Sequence, residues 1–280
     1  MDVSVIISNY NNAIYLRECL DSVFMQIGAS FEVIVVDDCS TDKTVFDIFD
    51  EYTKYPNFKL IRHTINQGPG VARNDGLKAS KADYIMFLDS DDYWTYDHYL
   101  RDLLDVSIAT GSDIVRDGWL DNGTPRLEHK SGTIISRQER CDIFVKYITT
   151  AMFSILFKHS LWDGIDYCER PYIEDTPSYI KVMLKANHIT YIEKYGYYYR
   201  NNPASVTHTS SPYKKALFGA LSNLDIVDEC NSYNLHLHNI SKVSTWGTFL
   251  ANSTMYGWTR DSFHPYEKYY DELMERLEKK

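Results

Sequence analysis

The sequence predicts an α/β fold, a mostly parallel β-sheet flanked by helices. Short apolar runs in the first third of the chain alternate with stretches of helical spacing, which is typical of βαβ units. The runs are mostly apolar, which indicates strands covered on both faces. The four predicted strands are VSVII (3–7), FEVIVV (31–36), FKLI (58–61) and DYIMFL (83–88).

Amphipathic helices are predicted between and after these strands. The first is the clearest, because Leu16, Leu20 and Val23 recur at the three- and four-residue spacing of one helix face. Together the elements form the strand–helix–strand units that a parallel sheet requires. The predicted helices cover 13–26, 42–54, 70–79 and 95–109.

The pattern loosens after residue 110 and predicts two regions, a domain over 1–210 and a C-terminal helical region over 211–280. A turn is predicted at Asp121-Asn122-Gly123, and helical spacing resumes at about residue 212 and continues to the end. The segment 189–200 is either two strands or one bent strand. The other elements predicted here are strands in DIVRDGWL, GTIIS and MFSILF (152–157) and helices over 136–148 and 174–186.

Charge and cysteine content exclude several classes of protein. The chain has 39 acidic and 29 basic side chains, and this formal charge of −10 argues against a broad surface for nucleic acid or membrane. Five scattered cysteines without a CxxC pair indicate reduced thiols and no zinc site. The N-terminus has no basic region before its short apolar run, so it predicts a strand and not a signal peptide. No transmembrane segment is predicted, and we expect a cytoplasmic protein, with peripheral attachment to the inner face of the membrane left open.

Polar side chains follow each of the four predicted strands. Asn9 follows the first strand and Asp37 and Asp38 the second, while the polar stretches 66–74 and 89–92 follow the third and fourth. Ligands of open α/β sheets bind beyond the carboxyl ends of the strands. Four such clusters at one edge therefore predict a single composite pocket.

Three carboxylates fall within four positions in the group Asp89-Ser90-Asp91-Asp92. Carboxylates on one turn are hard oxygen ligands suited to Mn²⁺ or Mg²⁺, and such an ion also binds a substrate diphosphate. The structural alternative is that Asp92 caps the next helix and Asp89 forms a turn. We favour the metal interpretation for the group as a whole.

Asp38 and Arg73 each have a functional and a structural interpretation. Asp38 ends an apolar strand, and we predict that it accepts a hydrogen bond from the base of a ligand. Arg73 lies in NQGPGVARNDG (66–76), whose glycines permit close backbone approach. A purely structural pairing of Arg73 with Asp38 stays open.

Glu174 and Asp175 lie at the start of a predicted helix, where the helix dipole favours carboxylates. Capping is the structural interpretation, and a general base beside a metal is the functional one. Because adjacent helical residues point in different directions, we expect only one of them to face the reacting centre.

The segment YYYRNNPASVTH (197–208) places several polar side chains in a loop that contains proline. A loop of this kind can close over a diphosphate. A surface loop without such a role is the alternative. The candidate residues are Arg200, Ser205, Thr207 and His208.

Taken in order, these motifs resemble the family 2 glycosyltransferases of the GT-A fold, a Rossmann-like nucleotide-binding architecture. The resemblance covers roughly residues 2–208, so the domain over 1–210 is the expected glycosyltransferase domain. The sequence departs from many relatives at Ser8, often proline, and at Cys39, often glycine. The motifs are IISNYN, VIVVDDCSTD, NQGPGVARNDGL, YIMFLDSDDYW, YIEDTPSYIKV and YYYRNNPASVTH.

The resemblance implies inverting transfer of a sugar from a nucleotide-sugar donor, usually a UDP-sugar, with Mn²⁺ or Mg²⁺. It implies that Asp175 is the catalytic base and that Glu174 positions the acceptor or the base. It implies that Asp91 binds the metal, with Asp89 and His208 as further ligands. The donor-binding residues that it implies are Asn9, Asp38, Asn66, Arg73, Asp89, Arg200 and Ser205.

The residue types suit this chemistry. Displacement at an anomeric carbon passes through an oxocarbenium-like state, and the departing diphosphate needs its charge neutralised. The acceptor hydroxyl needs a carboxylate to take its proton, and one base without a carboxylate nucleophile predicts inversion. We therefore expect a metal-dependent glycosyltransferase acting on a hydroxyl of a glycan acceptor in surface polysaccharide assembly.

Several alternatives stay open. One is a catalytically inactive module that binds nucleotide-sugars. Another is a transferase whose acceptor is modified DNA, which the net negative charge argues against. A sugar-nucleotide nucleotidyltransferase is disfavoured, because NYNNAIYLREC lacks a glycine-rich basic loop after the first strand. A homo-oligomer formed through the C-terminal helices is also open.

Overall fold

The computed structural model describes residues 1–147, 152–237 and 242–279, and its elements alternate as the sequence predicts in the first hundred residues. The strands are β1 (Val3–Asn9), β2 (Phe31–Asp37), β3 (Phe58–Arg62), β4 (Tyr84–Asp89), β5 (Tyr93–Trp94), β6 (Ile114–Arg116), β7 (Trp119–Asp121), β8 (Thr124–Arg126), β9 (Gly132–Ile134), β10 (Ile155–Lys158), β11 (Ile189–Tyr191) and β12 (Tyr197–Tyr199). The helices are α1 (Ala13–Phe24), α2 (Thr44–Tyr52), α3 (Pro69–Ala79), α4 (Tyr99–Thr110), α5 (Arg137–Tyr147), α6 (Asp175–Lys185), α7 (Val206–Thr209), α8 (Pro212–Ser232), α9 (Lys242–Tyr256) and α10 (Glu267–Glu278). Residue 148, the predicted end of the helix over 136–148, lies outside the described residues, as do 238–241 and 280 of the C-terminal region.

The large sheet has eight strands in the described part of the chain, in the order β3-β2-β1-β4-β10-β6-β11-β9. The first four are mutually parallel, and β10 runs antiparallel to both β4 and β6. The predicted α/β class, a mostly parallel sheet flanked by helices, is confirmed. Parallel pairing brings the ends of β1, β2 and β4 to one edge, where Asn9 stands beside Asp37 and Ser8 beside Asp89.

Helices cover both faces of this sheet, which explains the fully apolar strands. Along β1, Val5 and Ile7 point into the core formed with α1 and α2, while Ile6 points to the opposite face. On that opposite face α3 packs against β1 and β2, with Ala72 buried against Ile34. The apolar parts of β1, β2 and β4 are therefore buried on both sides, as their composition predicts, whereas the edge strand β3 is partly exposed.

One predicted boundary is wrong: α4 begins at Tyr99 and not at residue 95. Tyr93 and Trp94 form β5, which pairs with β12, and the Thr95 amide donates to the Gly196 carbonyl at 3.0 Å. Pairing with a strand a hundred residues away holds this segment extended, which local helical spacing does not reveal.

The short strands form a second sheet in the order β5-β12-β7-β8. Its β7–β8 hairpin turns at Asn122 and Gly123, both with positive φ, as the predicted turn requires. The β12 strand pairs with β5, which directly follows the acidic turn Asp89–Asp92, and this brings the loop after Tyr199 onto that turn.

The long helix α8 belongs to two cores. Ile226 and Val227 share a core with Tyr179 and Ile180 of α6, while the other side of α8 packs against α9 and α10. The C-terminal region is thus attached directly to the helix that begins at Asp175. Within the described ranges, every helix is too short or too polar to span a lipid bilayer.

The packing of α3 on β1 depends on Gly76, because a Cβ there would lie 2.3 Å from Cγ2 of Ile6. Gly76→Ala is expected to lower the free energy of unfolding by about 1–3 kcal/mol, measured by urea denaturation. Adding Ile6→Ala removes the opposing methyl group. The double variant should therefore lose less free energy of unfolding than the sum of the losses in the two single variants. Additive losses would contradict the contact, and Lys78→Ala on the exposed side of α3 is the control.

Candidate active site

A cavity of about 1270 Å³ opens at the carboxyl ends of β1, β2 and β4. Its walls come from the strand-end loops, from the loop after β12 and from the C-terminal helices. The predicted composite pocket is therefore present at the predicted edge. The predicted site residues that line it are Asn9, Asp38, Asn66, Arg73, Asp89, Asp91, Glu174, Asp175 and Ser205.

Arg73 bridges two carboxylates at the centre of the cavity. Its Nη2 donates to Oδ1 of Asp89 at 2.8 Å, and its Nη1 donates to Oε1 of Glu174 at 2.6 Å. Burial by itself lowers the pKa of Arg73, but the neighbouring carboxylate charges, Asp89 first, raise it well above its ordinary value. Arg73 is thus a permanent cation held between Asp89 and Glu174, and the alternative pairing with Asp38 is wrong.

Asp91 faces the cavity on the acidic turn, and Nδ2 of Asn202 donates to its Oδ2 at 2.8 Å. Burial and then the charge of Asp89 raise the pKa of Asp91. Two repelling carboxylates at a cavity wall are the hard oxygen donors that Mn²⁺ and Mg²⁺ prefer. Across residues 1–147, 152–237 and 242–279, no three His, Cys, Asp or Glu side chains form a metal-binding cluster. One or two carboxylates with substrate phosphates suffice for such an ion, so the residues present fit a divalent cation.

Asp92 is structural, but it does not cap the next helix. The Tyr197 hydroxyl donates to its Oδ2 at 2.6 Å, and the Arg200 amide donates to its Oδ1 at 2.8 Å. Burial, followed by the charges of Asp89 and Asp91, raises its pKa well above the ordinary value. Asp92 therefore anchors β12 to the acidic turn, and the structural alternative in which it caps the next helix is wrong.

The carboxylate of Asp38 organises the loop that follows β3. Its Oδ1 contacts Nδ1 of His63 at 2.7 Å and accepts from the Gln67 amide at 2.9 Å, while its Oδ2 accepts from the Gly68 amide at 2.7 Å. A carboxylate oxygen has two acceptor positions, so Oδ2 keeps one for a ligand. Binding of a base by Asp38 stays a prediction.

Asn9 is held at the same edge by Asp37. Its Nδ2 donates to Oδ1 of Asp37 at 2.9 Å, and Asp37 also accepts from Ser40 and contacts Arg62. The Oδ1 atom of Asn9 is buried without a hydrogen-bond partner among the described residues. A buried acceptor without a partner is costly, so a donor from a bound ligand would suit this position.

Glu174 and Asp175 both line the cavity, but they differ in their partners. Glu174 is tied to Arg73, whereas Oδ1 of Asp175 accepts from the amide of its neighbour Thr176 at 2.9 Å. Burial and then the charge of Glu174 raise the pKa of Asp175 to about 8, with Arg73 opposing. A carboxylate with a pKa near neutrality is a suitable general base.

The loop after β12 differs from the prediction. Arg200 is not among the described residues that line the cavity; its Nε donates to the Asp91 carbonyl at 2.8 Å and its guanidinium lies on Tyr15 and against Glu18. Arg200 thus supports the acidic turn from behind. Ser205 reaches the cavity, and its Oγ contacts Nδ1 of the exposed His208 at 2.9 Å. The structure does not bring His208 to Asp91, and its role as a ligand stays a prediction.

Three residues of the site were not predicted. His63 joins Asp38 to Asp75, with 3.1 Å between its Nε2 and Oδ2 of Asp75. Asn202 holds Asp91, and Tyr197 holds Asp92. The available signals were a histidine directly after the third strand and the asparagine pair beside Arg200.

The family model described as Glycosyl transferase family 2 matches residues 4–162, more than half of the chain. The chain belongs to glycosyl transferase family 2. Poly(ribitol-phosphate) beta-glucosyltransferase of Bacillus spizizenii is 34% identical over 209 residues, which are 71% of this chain and 32% of that protein. The poly(ribitol-phosphate) beta-N-acetylglucosaminyltransferase TarS of Staphylococcus aureus is 31% identical over 76% of this chain and 38% of TarS. The chain thus spans about a third of the length of these two family 2 relatives.

Solved structures of family 2 proteins agree with this assignment. The 1–349 fragment of S. aureus TarS in complex with UDP-GlcNAc superimposes with a TM-score of 0.67 at 27% identity, covering 80% of this chain and 67% of that one. The same fragment in complex with UDP has a TM-score of 0.66 at 26% identity and covers 93% of this chain and 73% of that one. The family and its GT-A fold, both expected from the sequence, are confirmed.

The raised pKa of Asp175 predicts a stability effect that depends on pH. The pKa of Asp175 is 3.8 in the unfolded chain and about 8 in the folded protein. Between these pH values the folded protein keeps a proton on Asp175 that the unfolded chain releases, so the contribution of this group to the free energy of unfolding falls as the pH rises. The melting temperature of Asp175→Asn should therefore exceed that of wild type, and the difference should grow with pH up to about pH 8. Each kcal/mol of stability corresponds to about 2–4 °C in melting temperature. Melting curves from pH 5 to 9 measure this margin, with Asp83→Asn at an exposed position as the control. A margin independent of pH would refute the shifted pKa.

Proposed function

We propose that this chain is an inverting glycosyltransferase that moves a sugar from a UDP-sugar to a hydroxyl group of a glycan acceptor in surface polysaccharide assembly. The observation that carries the proposal is Asp175, a carboxylate with a pKa of about 8 in the cavity that also contains Asp89 and Asp91. This combination provides a base for the acceptor and carboxylates for a metal at the donor diphosphate. Membership of family 2 and the poly(ribitol-phosphate) transferases among the relatives support it.

The donor is assigned to the strand-end side of the cavity. Asn9, Asp38 and Asn66 line the region at the ends of β1 to β3, where the free acceptor atoms of Asn9 and Asp38 suit the N–H groups of a base. The TarS complexes with UDP-GlcNAc and UDP support a UDP-sugar. Asp91 and Asp89 would hold the divalent cation, which supplies charge neutralisation for the departing diphosphate.

Asp175 acts on the acceptor. Its ionised carboxylate takes the proton of the attacking hydroxyl, whose oxygen forms a bond to the anomeric carbon as the bond from that carbon to the diphosphate breaks. Attack opposite the leaving group inverts the configuration. Arg73 keeps Glu174 in place beside this base and limits the repulsion between the two carboxylates. Ser205, on the same wall, is available to the diphosphate.

Donor and metal specificity are tested by thermal melting with UDP-, GDP-, CDP- and TDP-sugars, each with and without Mn²⁺. We expect the UDP-sugar with Mn²⁺ to raise the melting temperature, because ligand at about 100 times its Kd stabilises the folded state by about 2.7 kcal/mol. Asp91→Asn should lose the part of the melting-temperature shift that depends on Mn²⁺, whereas the exposed control Asp83→Asn should keep that part. An unaltered Mn²⁺ response in Asp91→Asn would remove Asp91 from the metal site.

The base is tested by the rate and its pH dependence. Asp175→Asn should lower the transfer rate by about 10²–10⁴ while the melting shift with UDP-sugar persists. The acid limb of kcat/KM in wild type should follow Asp175, and Glu174→Gln should move it to lower pH, because the charge of Glu174 helps to raise that pKa. Transfer by Asp175→Asn at near the wild-type rate would show that another group is the base.

A further inference from the structure

The C-terminal helices form one wall of the cavity that contains Asp175. Lys214 of α8, Tyr266 directly before α10 and Tyr269 of α10 line it beside Tyr172, which precedes the Glu174–Asp175 pair by two positions. Lys214, Tyr266 and Tyr269 lie after residue 208, where the last of the family motifs ends, and outside the segment 4–162 that the family model matches. The C-terminal region therefore builds this wall, whereas the strand-end loops build the side of the cavity assigned to the donor.

Lys214 is a cation held by aromatic rings. Its Nζ lies 5.6 Å from the centroid of the Tyr172 ring and 5.4 Å from that of Tyr266. The side chain is half-buried, and burial lowers its pKa while the charge of Glu174 opposes the shift. Among the described residues, no carboxylate lies within ion-pair distance of Lys214, in contrast to Arg73, Arg170 and Arg276.

The tyrosine rings compensate only part of the hydration that the half-buried ammonium group loses, and an anion from a ligand would add a charge-assisted interaction. The ligand that reaches this wall is the acceptor, because Lys214 lies near Glu174 and Tyr172, next to the base that must contact the acceptor hydroxyl. The donor diphosphate is assigned to the acidic turn. The half-buried faces of Tyr172 and Tyr266 suit the apolar face of a sugar or polyol.

We propose that Lys214 binds an anionic group of the acceptor, a phosphodiester or a carboxylate, so that the acceptor is an acidic glycan or polyol chain. The proposal rests on the glycosyltransferase function proposed above and adds the chemical class of the acceptor. Lys214 is a specificity residue that acts in acceptor binding and takes no part in proton transfer.

The test compares Lys214→Gln and Lys214→Arg with wild type, using Lys215→Gln as the matched control, since Lys215 is the exposed next residue of α8 and is not among the cavity-lining residues. Transfer from the UDP-sugar is measured to three probes: a phosphodiester-linked ribitol oligomer, a glucuronic acid oligomer and a neutral glucose oligomer. The melting shift that each oligomer causes in the presence of UDP gives a readout without turnover.

We expect an acidic probe to be preferred over the neutral one, and the preferred acid distinguishes phosphodiester from carboxylate. Lys214→Gln should raise the acceptor KM about tenfold or more, with kcat and the donor KM little changed, because a charge-assisted contact is lost. Lys214→Arg should restore much of the affinity, and Lys215→Gln should match wild type. Added salt should reduce the preference of wild type more than that of Lys214→Gln.

Three results would overturn the proposal: equal use of the neutral oligomer, an unchanged acceptor KM in Lys214→Gln, or a rise in its donor KM instead. Donor binding without either transfer or a melting shift from the acidic oligomers would also overturn it. Absence of any UDP-sugar binding and of any transfer is a different result, which refutes the proposed function itself and this inference with it.

Discussion

The arrangement of the site depends on one guanidinium placed among carboxylates. Asp89 ends a strand of the sheet, whereas Glu174 precedes a helix far along the chain, and Arg73 on α3 joins them. Without a cation there, two poorly hydrated negative charges would face each other, and the cost would fall on the docking of the segment that carries Asp175. Arg73 therefore offsets the repulsion among the carboxylates at this edge of the sheet, so that the chain can fold with all of them there.

Asp91 and Asp92 of the acidic turn differ in their roles because they differ in their hydrogen bonds. Asp92 is buried and accepts from Tyr197 of β12 and from the amide of Arg200 directly after that strand, which makes it an anchor. Asp91 faces the cavity with an amide from Asn202 on one oxygen and stays available to an ion. Arg200 contributes from outside by holding the Asp91 carbonyl. The position of each acid is set by the loop after β12, so the second sheet is a support of the site.

Elements governed by local pattern were predictable from the sequence. Short apolar runs predicted the four parallel strands within one or two residues, and the polar clusters after them predicted the edge that carries the cavity. Interactions between distant segments were not predictable. Examples are the pairing of Tyr93 and Trp94 with β12, the burial of Asp92 and the turn of Arg200 toward Tyr15. Each depends on which segments meet in the folded chain, and single-sequence spacing carries no information about that.

The double packing of α8 has a consequence for the geometry of the product. One side of this helix packs against α6, whose first residue is the proposed base Asp175, and its own first turn carries Lys214, the proposed anchor of the acceptor. The two positions therefore lie on helices that pack directly against each other, and this packing sets the span between them. An acceptor anchored at one end can present to the base only a hydroxyl at the matching distance. If both proposed roles hold, the packing of α8 on α6 would determine which hydroxyl of the acceptor receives the sugar, independently of which sugar the donor brings.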